Sequence, residues 1–429
     1  MIRRLLRAPV VLVLPAALLF GACAEDLTTA DSCPVLCPGQ QLDILDVVID
    51  PAIVFDSTLR AFPLQGYEES LLLASRGDTL DTRPIIRFDT LTRVFTPKSD
   101  TVRPVTYVDS ATLRIRLVKT KIKIPRTFFV DAYDVGDTTR VDSMPTNLLP
   151  FFVAGRLLGS LQVDSATFID SSIVKIVLDT ARLRPIIETP GRVLRIGLRL
   201  RSTESGAVLV TASDDATNGP VVRYRVSADT AVAAIEVRPV SFTPRVPMNV
   251  NGDLSDYLLI ADAPNIQAAG RFTVGGLPGN RTYLRFNIPR WLTDSTAVLR
   301  AQLEFVQDPV YGLDEKDSIT VRAQVVLAGV AITDLNRAAR LLAPAGFFVG
   351  DAIRVAPADS GIVRIEINTL LRNWRTTLGV QSIPSALILR SEVEGNSAQG
   401  VRFFGRNAAP GLRPRLRVSY VPNIRFGQP

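Results

Sequence analysis

Arginine is the residue type whose spacing in this sequence most suggests chemistry. In ATLRIRLV, Arg114 and Arg116 alternate with leucine and isoleucine, and VLRIGLRLR repeats the pattern. Because successive side chains of a strand point to opposite faces, each arginine row would lie on one face of a sheet. The arginines in such positions are Arg114, Arg116, Arg195, Arg199, Arg201, Arg223, Arg225, Arg415 and Arg417. Guanidinium groups bind carboxylate and sulfate through paired hydrogen bonds, so these rows predict a surface for an anionic ligand.

Two alternatives to this interpretation stay open. Charged side chains also keep a sheet surface solvated and protect its edges, which requires no ligand. A neutral sugar would instead bind on exposed aromatic rings, for which Tyr257, Tyr311 and Trp291 are the candidates near predicted loops. Each of these rings can equally be packed inside the protein.

Catalytic chemistry is limited by composition, because the sequence contains no histidine. This excludes Ser-His-Asp and Cys-His systems and histidine-ligated zinc sites. The string from Ser172 to Lys175 has Ser-x-x-Lys spacing but lacks the motifs that accompany it in acyl-transfer enzymes, so we interpret it as coincidence. No carboxylate pair for glycosidic cleavage stands out. We expect a protein that is not an enzyme, and a polysaccharide-cleaving enzyme is the least favoured alternative.

Acid-rich segments provide oxygen atoms of the kind that calcium prefers. The candidates are Asp131 and Asp134 in DAYDVGD, and Asp253 and Asp256 in NVNGDLSDY. None of them has the spacing of an EF-hand loop. Acidic residues at such places also serve as turn residues that cap loops. We therefore expect no cofactor, with calcium at these acids as the alternative.

The N-terminal residues indicate export. Three arginines within residues 1–7 precede an apolar run of 13 residues, 8–20, which small residues follow. This is the pattern of a secretory signal with its cleavage site, and the run is shorter than the roughly 20 residues that span a bilayer. The signal ends in Phe-Gly-Ala-Cys, which resembles the bacterial lipobox. The resemblance implies that Cys23 is diacylated and becomes the mature N-terminus; an ordinary secreted protein is the alternative.

The residue after Cys23 is alanine, which resembles the pattern of lipoproteins sent to the outer membrane. The chain would then face the periplasm or the cell surface. Without residues 1–22 the formal net charge falls from +7 to +4. Since the basic residues are spread along the chain, nucleic acid is not an expected partner.

Residues 23–45 are polar and contain prolines, as expected for a tether between a lipid anchor and a folded domain. Cys33 and Cys37 lie within this segment, in SCPVLCPG. In an oxidising compartment they are candidates for a small disulfide loop, and two free thiols are the alternative. A zinc site is not expected, because two thiols lack further ligands.

The remainder of the chain repeats itself in five blocks that keep the same order. They are RPIIRFDTL (83–91) with RTYLRFNIP (281–289), DSATLRIRL (109–117) with DSTAVLRAQL (294–303), SSIVKIVLDTARL (171–183) with SGIVRIEINTLLR (360–372), GLRLRSTESG (197–206) with ALILRSEVEG (386–395), and VVRYRV (221–226) with RPRLRV (413–418). A repeat of about 190 residues is too long for a solenoid unit and indicates two tandem domains. We predict boundaries at 46–229 and 230–423, with a short tail at 424–429.

These blocks resemble the DNRLRE-type β-sandwich domain, which is related to certain carbohydrate-binding modules. The resemblance covers most of residues 46–422, and the second copy, with YLRFNIP, INTLLRNWRTTL and RPRLRVSYV, fits better than the first. It implies a jelly-roll-like fold and a binding role. From the residues themselves, Trp374 follows Leu370 and Leu371 at helical spacing and is expected in a core.

Together these observations predict an all-β chain of two tandem antiparallel β-sandwich domains behind a signal peptide and a short tether. We expect a lipid-anchored envelope protein that binds an acidic polysaccharide. The alternative is a structural lipoprotein that binds another envelope protein.

Overall fold

The computed structural model describes residues 44–61, 69–88, 91–97, 101–120, 123–136, 145–166, 168, 170–213, 215–227, 232–239, 255–311, 317–334, 338, 341, 349–377, 380–381, 383–392 and 394–422. Strands dominate these residues. The α-helices are short, at Thr180–Glu188, Arg290–Asp294 and Asn368–Asn373, and 3-10 turns lie at Pro145–Phe151, Ala154–Arg156 and Gly329–Thr333. In the described part of the chain, no helix is long and apolar enough to cross a membrane.

The strands are numbered in chain order. The first thirteen are β1 (Leu45–Ile49), β2 (Ile53–Ala61), β3 (Ser70–Ser75), β4 (Asp81–Phe88), β5 (Val94–Phe95), β6 (Arg103–Pro104), β7 (Ser110–Lys119), β8 (Thr127–Asp134), β9 (Leu157–Asp164), β10 (Ser171–Val177), β11 (Leu194–Arg201), β12 (Gly206–Thr211) and β13 (Val221–Arg225). The others are β14 (Ile235–Val237), β15 (Asp256–Asp262), β16 (Arg271–Gly275), β17 (Gly279–Phe286), β18 (Thr296–Asp308), β19 (Ile319–Val325), β20 (Val349–Val355), β21 (Gly361–Glu366), β22 (Thr376–Thr377), β23 (Val380–Gln381), β24 (Ala386–Ser391), β25 (Gly400–Phe404) and β26 (Arg415–Pro422).

Two large curled sheets contain most of these strands. The first has the order β14-β13-β7-β12-β3-β4-β11-β8-β9, with β10 added beside β7 and β15 beside β4. The second has the order β1-β26-β18-β25-β16-β17-β24-β19-β20, with β21 added beside β18 and β2 beside β17. Neighbouring strands in both sheets are antiparallel, as the pairs β7–β10, β7–β13, β18–β21 and β18–β26 show. This confirms the predicted all-β class with two β-sandwiches, here called the first and second sandwich after their sheets.

The two sheets have the same topology, strand for strand. Position by position, β14 matches β1, β13 matches β26, β7 matches β18, and the correspondence continues to β9 and β20 at the other end. The added strands correspond as well, since β10 and β21 lie beside matching strands. The repeat that the sequence shows is therefore a repeat of fold.

Alternation of side chains explains why each strand forms where it does. In β7 the residues Ala111, Leu113, Ile115 and Leu117 are buried, whereas the residues between them are partly exposed. The buried row joins a core that β4, β8, β11 and β13 also line. Such a strand satisfies the backbone along both edges while it buries apolar surface on one face.

Each sandwich has its own apolar core. The second core contains an aromatic group of Phe272, Phe305 and Phe403, whose ring centroids lie 5.2 to 5.5 Å apart. Trp374 is 1% exposed and packs against Phe286 at 5.4 Å, which confirms its prediction as a core residue. The apolar face of the helix Asn368–Asn373 rests on the same core through Leu370 and Leu371.

Strand pairing crosses the predicted domain boundaries. Strands β1 and β2 precede the first sandwich in sequence, yet they belong to the second sheet. Strands β14 and β15 lie beyond residue 230, yet they belong to the first sheet. The predicted halves therefore exchange a pair of strands, which contiguous boundaries at 46–229 and 230–423 do not describe.

We predict that Phe305→Ala destabilises the protein by about 3–5 kcal/mol, because it leaves a cavity beside Phe272 and Phe403 in a fully packed core. Urea unfolding followed by circular dichroism measures this loss as a lower midpoint at an unchanged slope. Leu299→Ala is the matched control, since Leu299 lies on the same strand but is exposed. A loss below 1 kcal/mol at Phe305 would contradict the packing described.

Candidate functional site

The candidate site is a surface cavity of about 330 Å³ on the first sandwich. Four cationic side chains and one carboxylate line it, together with two hydroxyl residues: Arg114, Lys175, Arg223, Arg225, Glu236, Ser110 and Thr112. Ala111 and Val221 complete the lining. Three of the predicted arginines are thus brought to one cavity, and a lysine joins them.

Four neighbouring strands position these side chains. Lys175 of β10 is the Cα partner of Arg114 on β7. On the other side of β7, Arg223 of β13 is the partner of Thr112. Glu236 of β14 is in turn the partner of Arg223. Since residues that face each other across an antiparallel ladder point to the same side, the strand pairing alone gathers these groups on one face.

The carboxylate of Glu236 neutralises only part of the positive charge in the cavity. Glu236 Oε1 lies 3.7 Å from Arg223 Nε, and both side chains are more than half exposed. The Nη2 atom of Arg225 lies 3.5 Å from the carbonyl oxygen of Val232. Among the described residues, neither Arg114 nor Lys175 has a hydrogen-bonded or ion-paired partner. The cavity therefore carries an excess of positive charge that faces solvent.

The surface around the cavity combines charge with exposed aliphatic groups. Ile173 and Val177 flank Lys175 on the outer row of β10 and are 55% and 71% exposed. Arg116, one outward position along β7 from Arg114, donates a hydrogen bond to Ser171 Oγ at 3.0 Å. This face can present donors to an anion and apolar contacts to the body of the same ligand.

The matching face of the second sandwich carries a different charge arrangement. Arg364 of β21 is the partner of Glu304 on β18, and Glu304 is the partner of Arg415 on β26. Lys175 and Arg364 are matching residues of the repeated blocks SSIVKIV and SGIVRIE, but Lys175 is the partner of Arg114 on β7. The cation of β10 thus faces a guanidinium, whereas the cation of β21 faces a carboxylate.

Glu304 neutralises the arginines that surround it. Its side chain is 2% exposed, and it accepts hydrogen bonds from Arg364 at 3.0 Å, Arg415 at 2.8 Å and Arg417 at 3.2 Å. Burial raises the pKa of Glu304, but the hydrogen bonds from Arg364, Arg417 and Arg415 outweigh it and hold the pKa below its ordinary value. The predicted arginines Arg415 and Arg417 therefore form ion pairs with a buried carboxylate.

The predicted arginines of β11 lie apart from the cavity. Arg195 is buried, and its strand partner is Arg87. Arg199 is partly buried. Arg201 binds both oxygens of Asp131, at 2.8 and 3.1 Å, and its guanidinium lies over the ring of Phe129. The hydrogen bond to Asp131 raises the pKa of Arg201. These arginines do not join the cavity.

The calcium candidates are also separated from one another. Asp131 accepts hydrogen bonds from Arg201 and Ser160. Asp134 accepts one from the Gly136 N–H at 2.9 Å and lies 3.3 Å from Arg192. Asp256 is buried and accepts from both the N–H and the hydroxyl of Ser213.

Asp253 lies outside the described residues. Within the described ranges no three acidic or thiol side chains come close enough to hold a metal ion. The predicted anchor and thiols, Cys23, Cys33 and Cys37, also lie outside these ranges.

Of the aromatic candidates, Tyr257 is buried, whereas Tyr311 and Trp291 are exposed, and the Trp291 ring lies against that of Tyr420. Sequence reasoning missed Lys175 and Glu236 as members of the cavity. The alternating row of β10 contained the signal for Lys175, because Ile173, Lys175 and Val177 share one face. The sequence has no comparable signal for Glu236, which reaches the site only through the position of β14.

The chain matches no protein-family model and no curated protein. Solved structures give distant likenesses with TM-scores far below that of a shared fold. A structure of the infectious bursal disease virus Gt strain has 12% identity, a TM-score of 0.15, and coverage of 91% of this chain and 78% of the other. The N-terminal tandem of CBM22 domains from a Paenibacillus barcinonensis protein has 10% identity, a TM-score of 0.13, and coverage of 86% and 98%.

We predict that Glu304→Gln lowers the free energy of unfolding at pH 7 by about 2 kcal/mol, because three guanidinium groups lose their charged acceptor. The pKa of Glu304 is lower in the folded than in the unfolded chain, so its stabilisation exists above the unfolded value of 4.5 and disappears as pH falls through the folded value. Urea unfolding at pH 7, 4.5 and 3 measures this.

The difference between Glu304→Gln and the parent should shrink as the pH falls below 4.5. Glu188→Gln is the control, because Glu188 forms a partly exposed pair with Arg184 on a helix and should cost less than 1 kcal/mol. A difference that stays constant from pH 7 to pH 3 would contradict the charged role of Glu304.

Proposed function

We propose that the protein is a non-catalytic binding protein of the cell envelope, and that the cavity of the first sandwich binds an acidic polysaccharide. The observation that carries this proposal is the excess of cationic groups around one cavity of about 330 Å³, where Glu236 is the single carboxylate in the lining. The carboxylates or sulfates of a polymer would supply the missing negative charge.

The chemistry of the cavity suits an acidic sugar polymer better than a small anion. Arg114 and Arg223 can each donate two hydrogen bonds to a carboxylate in a fixed geometry. Ser110 and Thr112 add hydroxyl groups that can bind sugar hydroxyls. The exposed Ile173 and Val177 offer contact area beyond the cavity. A ligand with repeated charges could reach from the cavity to Arg116.

A lipid anchor at the N-terminus is the second part of the proposed function. The lipobox-like sequence at Cys23 would attach the chain to the outer membrane, in the periplasm or on the cell surface. The resemblance of the repeated blocks to DNRLRE-type domains, and through them to carbohydrate-binding modules, supports a glycan ligand. An envelope protein with an acidic surface is the second candidate partner, because the exposed aliphatic side chains of β10 also suit a protein interface.

We predict that residues 38–429 bind acidic polysaccharides, such as a uronate polymer, at low salt, and bind neutral ones more weakly. Raising the salt to 1 M should remove most of this binding, because the Debye length falls from about 10 Å at 0.1 M to about 3 Å. Arg114→Ala and Arg223→Ala should each weaken binding about tenfold or more. Isothermal titration and affinity electrophoresis measure these effects.

Arg417→Ala is the matched control, since Arg417 lies on the corresponding face of the second sandwich beside Glu304. It should leave the affinity unchanged. Equal losses for Arg114→Ala and Arg417→Ala would assign the binding to overall charge instead of the cavity. Absence of binding to every polysaccharide in the panel would reject the glycan ligand and leave the envelope protein as the partner.

We predict that Cys23→Ser releases the protein from membranes into the soluble fraction without a change in its thermal unfolding midpoint, because the lipid and not the fold would hold it there. Membrane fractionation and metabolic labelling with a fatty acid measure this. Cys33→Ser is the control and should remain in the membrane fraction. A Cys23→Ser variant that still sediments with membranes would disprove the lipid anchor.

A further inference from the structure

Each sheet contains two strands that come from the other half of the chain. In the second sheet, β1 lies beside β26 and β2 beside β17. In the first sheet, β14 lies beside β13 and β15 beside β4. Since β17 matches β4 and β26 matches β13, the pair β1–β2 occupies in one sandwich the place that β14–β15 occupies in the other.

The registers show that this equivalence extends to single residues. Asp56 of β2 is the partner of Leu284, and Asp256 of β15 is the partner of Ile86. Leu284 and Ile86 are matching residues of the repeated blocks RTYLRF and RPIIRF. The two aspartates therefore hold the same position in opposite sandwiches.

The two aspartates also make matching contacts. Asp56 accepts a hydrogen bond from the N–H of Arg406 at 2.8 Å and pairs with its guanidinium at 3.1 Å. Asp256 accepts hydrogen bonds from the N–H and hydroxyl of Ser213. Arg406 follows β25 and Ser213 follows β12, which are matching strands. Each aspartate thus holds the segment after the matching strand, β25 or β12, in the sandwich to which its own strand belongs.

The exchanged strands take part in the apolar packing of the sandwich that they join. Ala52 and Ile53 are buried in the core of the second sandwich, and Val47 and Ile49 of β1 pack against that core. Tyr257 of β15 is buried against Ile85 of the first sandwich. Each main apolar core therefore includes residues from the other half of the chain, since Val237 of β14 lies in the core of the first sandwich.

We propose that β1–β2 is a strap that joins the two sandwiches into one cooperatively unfolding unit, by an exchange of strands within a single chain. The geometry is that of a domain-swapped dimer whose two protomers are the halves of one polypeptide. Contacts between the sandwiches reinforce it: Leu71 of β3 packs with Leu277 and Ala398 of the second half, and the Leu72 N–H donates to the Gly395 carbonyl at 3.1 Å.

A disulfide distinguishes the exchanged arrangement from a contiguous one. Thr58 and Thr282 are Cα partners with hydroxyl oxygens 3.0 Å apart, so Thr58→Cys with Thr282→Cys should close a bond under mild oxidation. Residues 38–429 contain every strand of the described ranges and no natural cysteine. In a contiguous arrangement, residue 58 would instead take the place of Leu258 opposite Pro84. Thr58→Cys with Pro84→Cys tests that alternative.

We expect the 58–282 pair to form a cross-linked monomer in high yield and the 58–84 pair to stay reduced, as read from peptide mass spectrometry and gel mobility. A disulfide-linked dimer through 58 and 282 would show that copies exchange strands with one another, and would overturn a strap within one chain. A 58–84 bond, or failure of the 58–282 pair to close, would overturn the exchange itself.

The cooperative unit has its own test, which does not depend on any ligand. Asp56→Ala and Asp256→Ala each loosen a strand in a different sandwich, so each should lower the midpoint of one common transition in scanning calorimetry. Arg184→Ala, on an exposed helix face, is the control and should not move it. Two separate transitions, each moved by one aspartate alone, would overturn the proposal while leaving glycan binding untouched.

Discussion

The pairing of β7 along both of its edges is the constraint on which the rest of the first sandwich depends. β10 covers one edge, and β13 and β12 share the other. With its backbone satisfied on both sides, the strand can direct every second residue only to the core or to solvent. The apolar row from Ala111 to Leu117 lies in the core, and the intervening row, which contains Thr112, Arg114 and Arg116, faces outward. Arg114 and Arg116 are therefore on the surface because the core is on the other side.

The same scaffold supports two different charge arrangements, and one buried group decides between them. In the second sandwich Glu304 has lost most of its contact with water, a loss that three guanidinium groups offset. Those arginines are therefore paired with Glu304 inside the protein. In the first sandwich Lys175, which matches Arg364 in the repeated blocks, faces Arg114 instead of a carboxylate. The repeated fold therefore carries a neutralised cluster of arginines on the second sandwich and a cavity lined by four cations and one carboxylate on the first.

Much of the fold could be predicted from the sequence, because two-residue alternation and the five repeated blocks are local signals. The site was less predictable. Arg415 and Arg114 look alike in their own strands, and only Glu304, more than 100 residues from Arg415, separates their roles. The acids of DAYDVGD suggested a loop, but Asp131 and Asp134 lie within β8. Strand exchange is not visible in the repeat, because none of the five repeated blocks includes β2 or β15.

The exchange also changes how many chain segments join the two sandwiches. In a contiguous arrangement one segment near residue 230 would join them. In the exchanged arrangement the chain passes between the sandwiches twice, from β2 to β3 and from β15 to β16. The sandwiches can move apart only if β2 leaves β17 and β15 also leaves β4, and each of these ladders spans most of the length of its strands. Hydrogen bonds distributed along a ladder break together, so two cooperative ladders, and not one connecting segment, hold the sandwiches together.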